Sequence, residues 1–136
     1  MKFCNFLILF TLILFTGKTA GEVNASIGSG WNHTLIIKTD GSLWGTGRGY
    51  QGELGINPAG NSDLFVKILD GGVKSLHPIG GQNSLFIKTD DTLWGMGKNA
   101  SGELGDGTTT QRDAPIQVWA SSVTKASGSY HTIFLE

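Results

Sequence analysis

Cysteine is almost missing from this chain of 136 residues, and the single one, Cys4, sits in an apolar N-terminal stretch. Disulfide scaffolding, thiol nucleophiles and cysteine-based metal sites are therefore excluded for everything downstream of it. Proline is scarce, at three residues, which excludes proline-rich linkers and collagen-like architectures. The one long apolar run, residues 6–15, is short of the roughly 20 residues that a membrane-spanning helix needs. Charge of neither sign dominates, with 10 Lys and Arg against 11 Asp and Glu, and no basic cluster occurs. A nucleic-acid groove is built on such clusters, so no nucleic-acid partner is expected. Helical apolar spacing is also lacking, which leaves short extended segments as the building material.

The N-terminus has the layout of an export signal. Met1 and Lys2 supply a short positive start, the apolar run follows, and small residues including Thr19 and Gly21 precede Glu22. This predicts a leader over residues 1–21 and a mature repeat region over 22–136, outside the cytoplasm (secreted or periplasmic). Membrane attachment is expected only through an uncleaved leader, and Lys18 is an awkward neighbour for cleavage after Ala20. Removal of the leader takes Lys2 and Lys18 from the ten basic residues and leaves eight against 11 acidic ones, a formal charge of −3. Three triplets starting at Asn24, Asn32 and Asn99 fit the N-glycosylation pattern, which has meaning only in a source that secretes through an endoplasmic reticulum.

What the chain does contain is itself, twice. Residues 33–55 and 83–105 align without gaps and are identical at 13 of 23 positions, and a third copy opens at His131. Many of the 21 glycines recur at fixed offsets: Gly45, Gly47, Gly52 and Gly55 return as Gly95, Gly97, Gly102 and Gly105. Glycine at fixed offsets marks tight turns or close backbone approach, not a flexible linker. Residues 34–38 and 42–47, and again 84–88 and 92–97, read as hairpins turning at Asp40-Gly41 and Asp90-Asp91. Residues 64–68 and 73–77 read as two further strands of the first repeat, and residues 116–119 and 123–126 as those of the second. Four short strands in each fifty residues predict an all-β, partial β-propeller of about two four-stranded blades plus an extra strand. The repeats are set at about residues 23–72 and 73–122, with a partial third at 123–136.

The strings Gly30-Trp31-Asn32-His33-Thr34, Asp40-Gly41-Ser42-Leu43-Trp44-Gly45-Thr46-Gly47 and Gly52-Glu53-Leu54-Gly55 resemble the repeat of the regulator of chromosome condensation family. The second copy departs from it at Asn83, in place of the histidine, and at Asp91, in place of the turn glycine. The resemblance covers nearly all of residues 23–136. It implies a ring of about seven blades in full-size members, of which this chain carries two and the opening of a third. The repeat count favours a fragment of a larger propeller. The nucleotide-exchange role of the best-known member is not expected here, because the chain has a leader, no basic tail and few blades.

Candidate chemistry is thin. Gly47-Arg48-Gly49-Tyr50-Gln51-Gly52 matches a dinucleotide fingerprint, but no helix follows it to meet a pyrophosphate, so the glycines read as turn residues. His33, His77 and His131 lack the spacing of metal ligands, and His33 and His131 fall at one repeat position, which suggests a repeated structural role. Asp40 and Asp90 read as turn residues, while Glu53 and Glu103 recur at one offset and read as scaffold. No nucleophile, base and orienter come together, so no catalytic, cofactor or metal site is expected, and the chain reads as no enzyme. Trp44 and Trp94 recur and read as packing. Trp31, Tyr50, Trp119 and Tyr130 do not recur, and with Arg48 they are the candidates for an interaction surface. The expected function is a non-catalytic protein-interaction scaffold with a protein partner or self-assembly. The competing expectation is a carbohydrate-binding or hydrolytic propeller module that uses the rim aromatics.

Overall fold

Apolar residues at every second position, cut by glycine-bearing turns, produce strands and nothing else among the described residues. The computed structural model describes residues 25–77, 80–128 and 130–136. The expected leader, with Cys4 and the triplet at Asn24, lies outside the described residues. Among the described residues there are ten antiparallel strands: β1 (Ser26–Ser29), β2 (His33–Ile37), β3 (Leu43–Gly47), β4 (Ser62–Leu69), β5 (Val73–His77), β6 (Asn83–Lys88), β7 (Leu93–Gly97), β8 (Arg112–Trp119), β9 (Lys125–Gly128) and β10 (Thr132–Leu135). They form two sheets of four, β1-β2-β3-β4 and β5-β6-β7-β8, and a two-stranded sheet of β9 and β10. The all-β blade architecture expected from the repeats is the observed one.

The grouping of strands differs from the sequence reading in one respect. Residues 73–77 do not close the first sheet. They open the second, where β5 pairs with β6 through Leu76↔Phe86 and His77↔Leu85. The place in the first sheet is taken by β1, whose Ser-Ile-Gly-Ser sequence carries little strand signal of its own. The chain leaves the first sheet at Gly71-Gly72, where Gly72 has φ +78°. The terminal strand β10 likewise has a partner upstream, with Phe134 opposite Ala126 in β9.

Period-2 alternation sends successive side chains to opposite faces, and the cores lie between sheets. Leu35, Ile37, Leu43 and Leu54 of the first sheet and its loop meet Val73, Leu76, Phe86 and Met96 of the second. Leu85, Ile87, Leu93 and Leu104 meet Val123 and Ala126, with Phe134 packed against them. The aligned positions report what each face meets. Leu35 and Leu85 are 4% and 0% exposed, whereas Ile133, the third copy of that position, is 58% exposed. Ile27 on the first sheet is exposed too. Two apolar faces, one at each end of the stack, stand open among the described residues.

Polar ties between sheets repeat as faithfully as the cores. Ser84 Oγ donates to the Glu53 carbonyl at 2.9 Å, and Thr132 Oγ1 donates to the Glu103 carbonyl at 2.7 Å. The Val73 N–H donates to the Gly41 carbonyl at 3.2 Å, and the Val123 N–H to the Asp91 carbonyl at 3.0 Å. The loop glycines permit this approach unequally. A Cβ on Gly52 would lie 2.3 Å from the Arg112 carbonyl oxygen of the second sheet, but on Gly102 its nearest neighbour would be 3.8 Å away. Both sit at positive φ, +85° and +76°. Gly102→Ala therefore carries only the backbone strain, about 1–2 kcal/mol, whereas Gly52→Ala adds a backbone clash and is expected to cost about 3 kcal/mol or more. Urea unfolding of the two variants checks the difference; equal costs would show that the loop is not pressed against β8.

Candidate interaction surface

Strand register decides which loops share an end of the sheets. His33↔Gly47, Asn83↔Gly97 and Thr132↔Gly128 lie at one end, and Ile37↔Leu43, Ile87↔Leu93 and Leu93↔Trp119 lie at the other. The loops at the first end carry Trp31, Gln82 and Tyr130, with Arg48 and Lys98 just beyond β3 and β7. The Trp31 N–H donates to the Gly81 carbonyl at 3.2 Å, so the loop of the first sheet lies directly on that of the second. Across Gly81, which has no side chain to intervene, the Trp31 and Tyr130 rings meet edge to face at 6.0 Å and 77°. Both rings stay mostly exposed. The pair therefore links the first sheet to the third over the top of the second.

Under these rings lies a notch open to solvent, lined by Trp31, Tyr130, Gln82, Asn83, Lys98 and Glu103 together with Gly81. Arg48 joins its edge: with the Gln82 amide oxygen turned toward it, that oxygen accepts from both terminal guanidinium nitrogens, at 2.8 and 3.2 Å. Arg48 also faces Glu53 at 3.6 Å, and Lys98 faces Glu103 at 3.3 Å. The carboxylates are buried and turned inward. Glu53 accepts from the Gln51 N–H at 2.8 Å and Glu103 from the Ser101 N–H at 2.7 Å. Burial pushes the Glu103 carboxyl up, but the Ser101 and Glu103 backbone N–H groups and Lys98 outweigh it and hold it below its ordinary value. Each glutamate ties its own loop together and adjoins one cation.

Of the five residues singled out from the sequence, Trp31, Tyr130 and Arg48 gather at this end. Tyr50 is exposed on the loop after β3, held through its carbonyl by Gln111 Nε2 at 3.4 Å. Trp119 lies at the opposite end, 5.0 Å from Phe134 and hydrogen-bonded to Glu136. The five do not form one surface. Sequence reasoning missed Gln82, Asn83 and Lys98 as lining residues, although Asn83 was visible as a departure from the repeat. Trp44 and Trp94 are half-buried, and each indole N–H donates to the hydroxyl of Ser42 or Thr92, which in turn donates to Asp40 or Asp90. Lys38 and Lys88 cap the same two rings at 3.7 and 3.5 Å.

The histidines divide by neighbourhood. His33 is buried, and its Nε2 lies 2.9 Å from Ser84 Oγ. That hydroxyl gives its only proton to the Glu53 carbonyl, so His33 Nε2–H must be the donor and the ring is the neutral Nε2–H tautomer. His77 accepts from the Ala126 N–H at 3.4 Å and so ties the second sheet to the third. His131, at the His33 position of the third copy, is exposed, because no described sheet follows it. Its role is therefore not the same as that of His33. Among the described residues no group of three or more His, Cys, Asp or Glu converges as a metal site would require.

Comparison with known proteins agrees with this architecture. Residues 25–53 and residues 90–135 each match a family model described as "Regulator of chromosome condensation (RCC1) repeat". Solved structures that match include human WBSCR16, at 22% identity and TM-score 0.66, over 75% of this chain and 27% of that one. Yeast RCC1 (Prp20) bound to Kap60 matches at 20% identity and TM-score 0.70, over 79% and 28%. Prp20p of Saccharomyces cerevisiae, described with its binding properties to Gsp1p and histones, matches at 19% and TM-score 0.70, over 81% and 30%. At these identities the likeness concerns the fold, and the chain spans under a third of the length of each. No curated protein matches the chain.

Burial holds the His33 imidazole down to about 4, from an ordinary value of 6.5, and also lowers His77. The unfolded chain then takes up these protons first as pH falls. The stability that the neutral His33 ring contributes is complete above about 6.5 and is lost progressively as pH falls to about 4, and the neutral His77 ring acts in the same direction. His33→Asn, which copies the residue at position 83, should reduce the stability lost between pH 7 and pH 5. It should also cost about 1 kcal/mol at pH 7 through the missing hydrogen bond. Urea midpoints at the two pH values measure this, and an equal loss in variant and parent would contradict a buried neutral His33.

Proposed function

Because this chain belongs to the regulator of chromosome condensation repeat family, we propose that it is an exported, non-catalytic scaffold that holds a protein partner on the loops at one end of its sheets. The observation that carries this reading is the Trp31–Tyr130 pair, exposed yet fixed by loops that are hydrogen-bonded to each other. Large aromatic rings with few rotatable bonds lose little entropy on binding and dominate interaction hot spots. Arg48, held by Gln82 and Glu53, adds an oriented cation beside them. Protein binding fits what is described for the yeast relative, whose partners remain its own. Export rests on the leader pattern of residues 1–21.

The open end faces support a companion reading, in which this chain is part of a larger propeller. Ile133 and Leu135 fall at positions that the first two copies bury, and side chains of this size gain about 1.5–3 kcal/mol each on full burial. Further blades, or other copies of the chain, would cover them.

A photo-crosslinking residue at position 31 or 130 tests the scaffold reading in the source organism. A discrete crosslinked protein is expected from these two positions and not from position 63 on the exposed β4. Equal yields from all three would remove the assignment of this end as the binding surface. Residues 1–24 fused to a reporter active only outside the cytoplasm should give activity, and an inactive fusion would end the export reading.

A further inference from the structure

The chain carries both halves of a sheet-to-sheet contact that its described residues leave unclosed. On the face that each sheet turns to the sheet before it, strand register pairs Ile27 with Ile36, Leu76 with Phe86 and Ala126 with Phe134. On the face turned to the sheet after it, the pairs are Gly28 and Leu35, His77 and Leu85, and Ser127 and Ile133. Inside the chain the two kinds of face meet twice, and in one register. A Cβ on Gly28 would lie 3.4 Å from Leu76 Cβ, and His77 Nδ1 accepts from the Ala126 N–H at 3.4 Å. Ile27, on the leading face of the first sheet, is 77% exposed, where Leu76 and Ala126 are 9% and 8% exposed. Ser127, Ile133 and Leu135, on the trailing face of the third, are exposed as well. The polar tie is divided in the same way. His33 donates to Ser84 Oγ across the first contact, the third copy restores that histidine as His131, and Thr34 holds the Ser84 position on the first sheet.

We propose that a second copy of this chain covers these faces, with β9 and β10 of one copy laid head to tail on β1 and β2 of the next. The internal register then sets Ser127 opposite Ile27, as Gly28 lies opposite Leu76, and brings His131 beside Thr34. This rests on the companion reading that the end faces are covered, and it names what covers them. A second copy brings the matching face to each end at once, whereas an unrelated protein would have to reproduce the Gly28–Leu76 register separately at both. A contact between unlike faces propagates from copy to copy until the rotation closes it. Each copy contributes three sheets, so two copies bring six. That number lies within the about 4–8 blades of propeller rings, and a closed dimer occupies both open faces of both copies.

The test is a crosslink between copies. Two full-length forms, both carrying Cys4→Ser, are produced together in the source organism, one with Ile27→Cys and the other with Ser127→Cys. The internal Gly28–Leu76 site has close to the Cβ separation that a disulfide spans, about 3.5–4.5 Å, so mild oxidation should join the two forms into a dimer. Neither form alone should crosslink, nor should Asp63→Cys on the exposed β4 in place of Ile27→Cys. Ile133→Lys, added to the Ser127→Cys form, alters an exposed side chain and should abolish the crosslink by setting a charge against Ile27 and Ile36. No disulfide between positions 27 and 127, or one that Ile133→Lys leaves unchanged, overturns the proposal. Alkylation of the same cysteines before oxidation separates it from the companion reading. Thiols that are shielded without crosslinking show that further blades or another protein cover the faces, which sinks the second copy and keeps the companion reading. Thiols that react freely show open faces, and both then fail.

Discussion

Everything in this molecule hangs on a side-chain hydroxyl that reaches from one sheet to a backbone carbonyl of the sheet before it. Ser84 does so to Glu53 and Thr132 to Glu103, at 2.9 and 2.7 Å. The carbonyl can serve only because the Gly-Glu-Leu-Gly loop around it is rigid. The glutamate carboxylate binds the N–H two residues earlier, the following leucine is fully buried between the sheets, and glycine at positive φ turns the chain on either side. A single loop thus supplies an acceptor, a core side chain and a turn. That economy explains why the loop is copied without change, with all four residues identical in both copies.

Where the copies differ, the molecule acquires properties that the repeat does not have. Replacement of the histidine by Asn83 leaves an unpartnered oxygen, and replacement of Trp31 by Gly81 opens the path along which Trp31 meets Tyr130. Neither change disturbs the strands, because both lie where β6 begins. Repeated positions carry the packing and the sheet-to-sheet bonds, whereas singular ones carry the exposed rings and the notch. A side chain free of duty to the next sheet is free to vary.

The fold was legible because its signals are local and doubled. Glycine offsets, the Asp turn and the alternation in residues 33–37 are all contained within a few residues. The assignment of residues 73–77 to the second sheet was not legible, since it depends on where the Gly71-Gly72 turn sends the chain. Asn99 shows another limit. It takes the place of Gly49, where a Cβ would lie 2.1 Å from the Gly60 carbonyl oxygen. In the second loop its amide instead donates to the Thr108 and Thr110 carbonyls and accepts from the Leu104 N–H. The same loop shape is reached with a side chain replacing a close backbone approach, and composition cannot reveal such an exchange. The candidate surface was half legible. Its aromatic members stood out by failing to recur, but the notch between them is a product of residues 31 to 130 folding onto one end.

The Trp31–Tyr130 contact has a consequence for how the surface behaves. It joins loops of the first and third sheets and passes over the second, so its geometry is correct only when both sheet-to-sheet contacts are closed. The ties at Ser84 and Thr132, and the histidine bonds of His33 and His77, therefore set the geometry of this aromatic pair without touching it. Loss of neutral imidazole at low pH acts on both contacts, because the buried His33 ring sits in one and the half-buried His77 ring in the other. A surface assembled in this way reports the integrity of the whole stack. The proposed binding at this end would thus require the fold's rigidity as a condition, in addition to resting on it as a support.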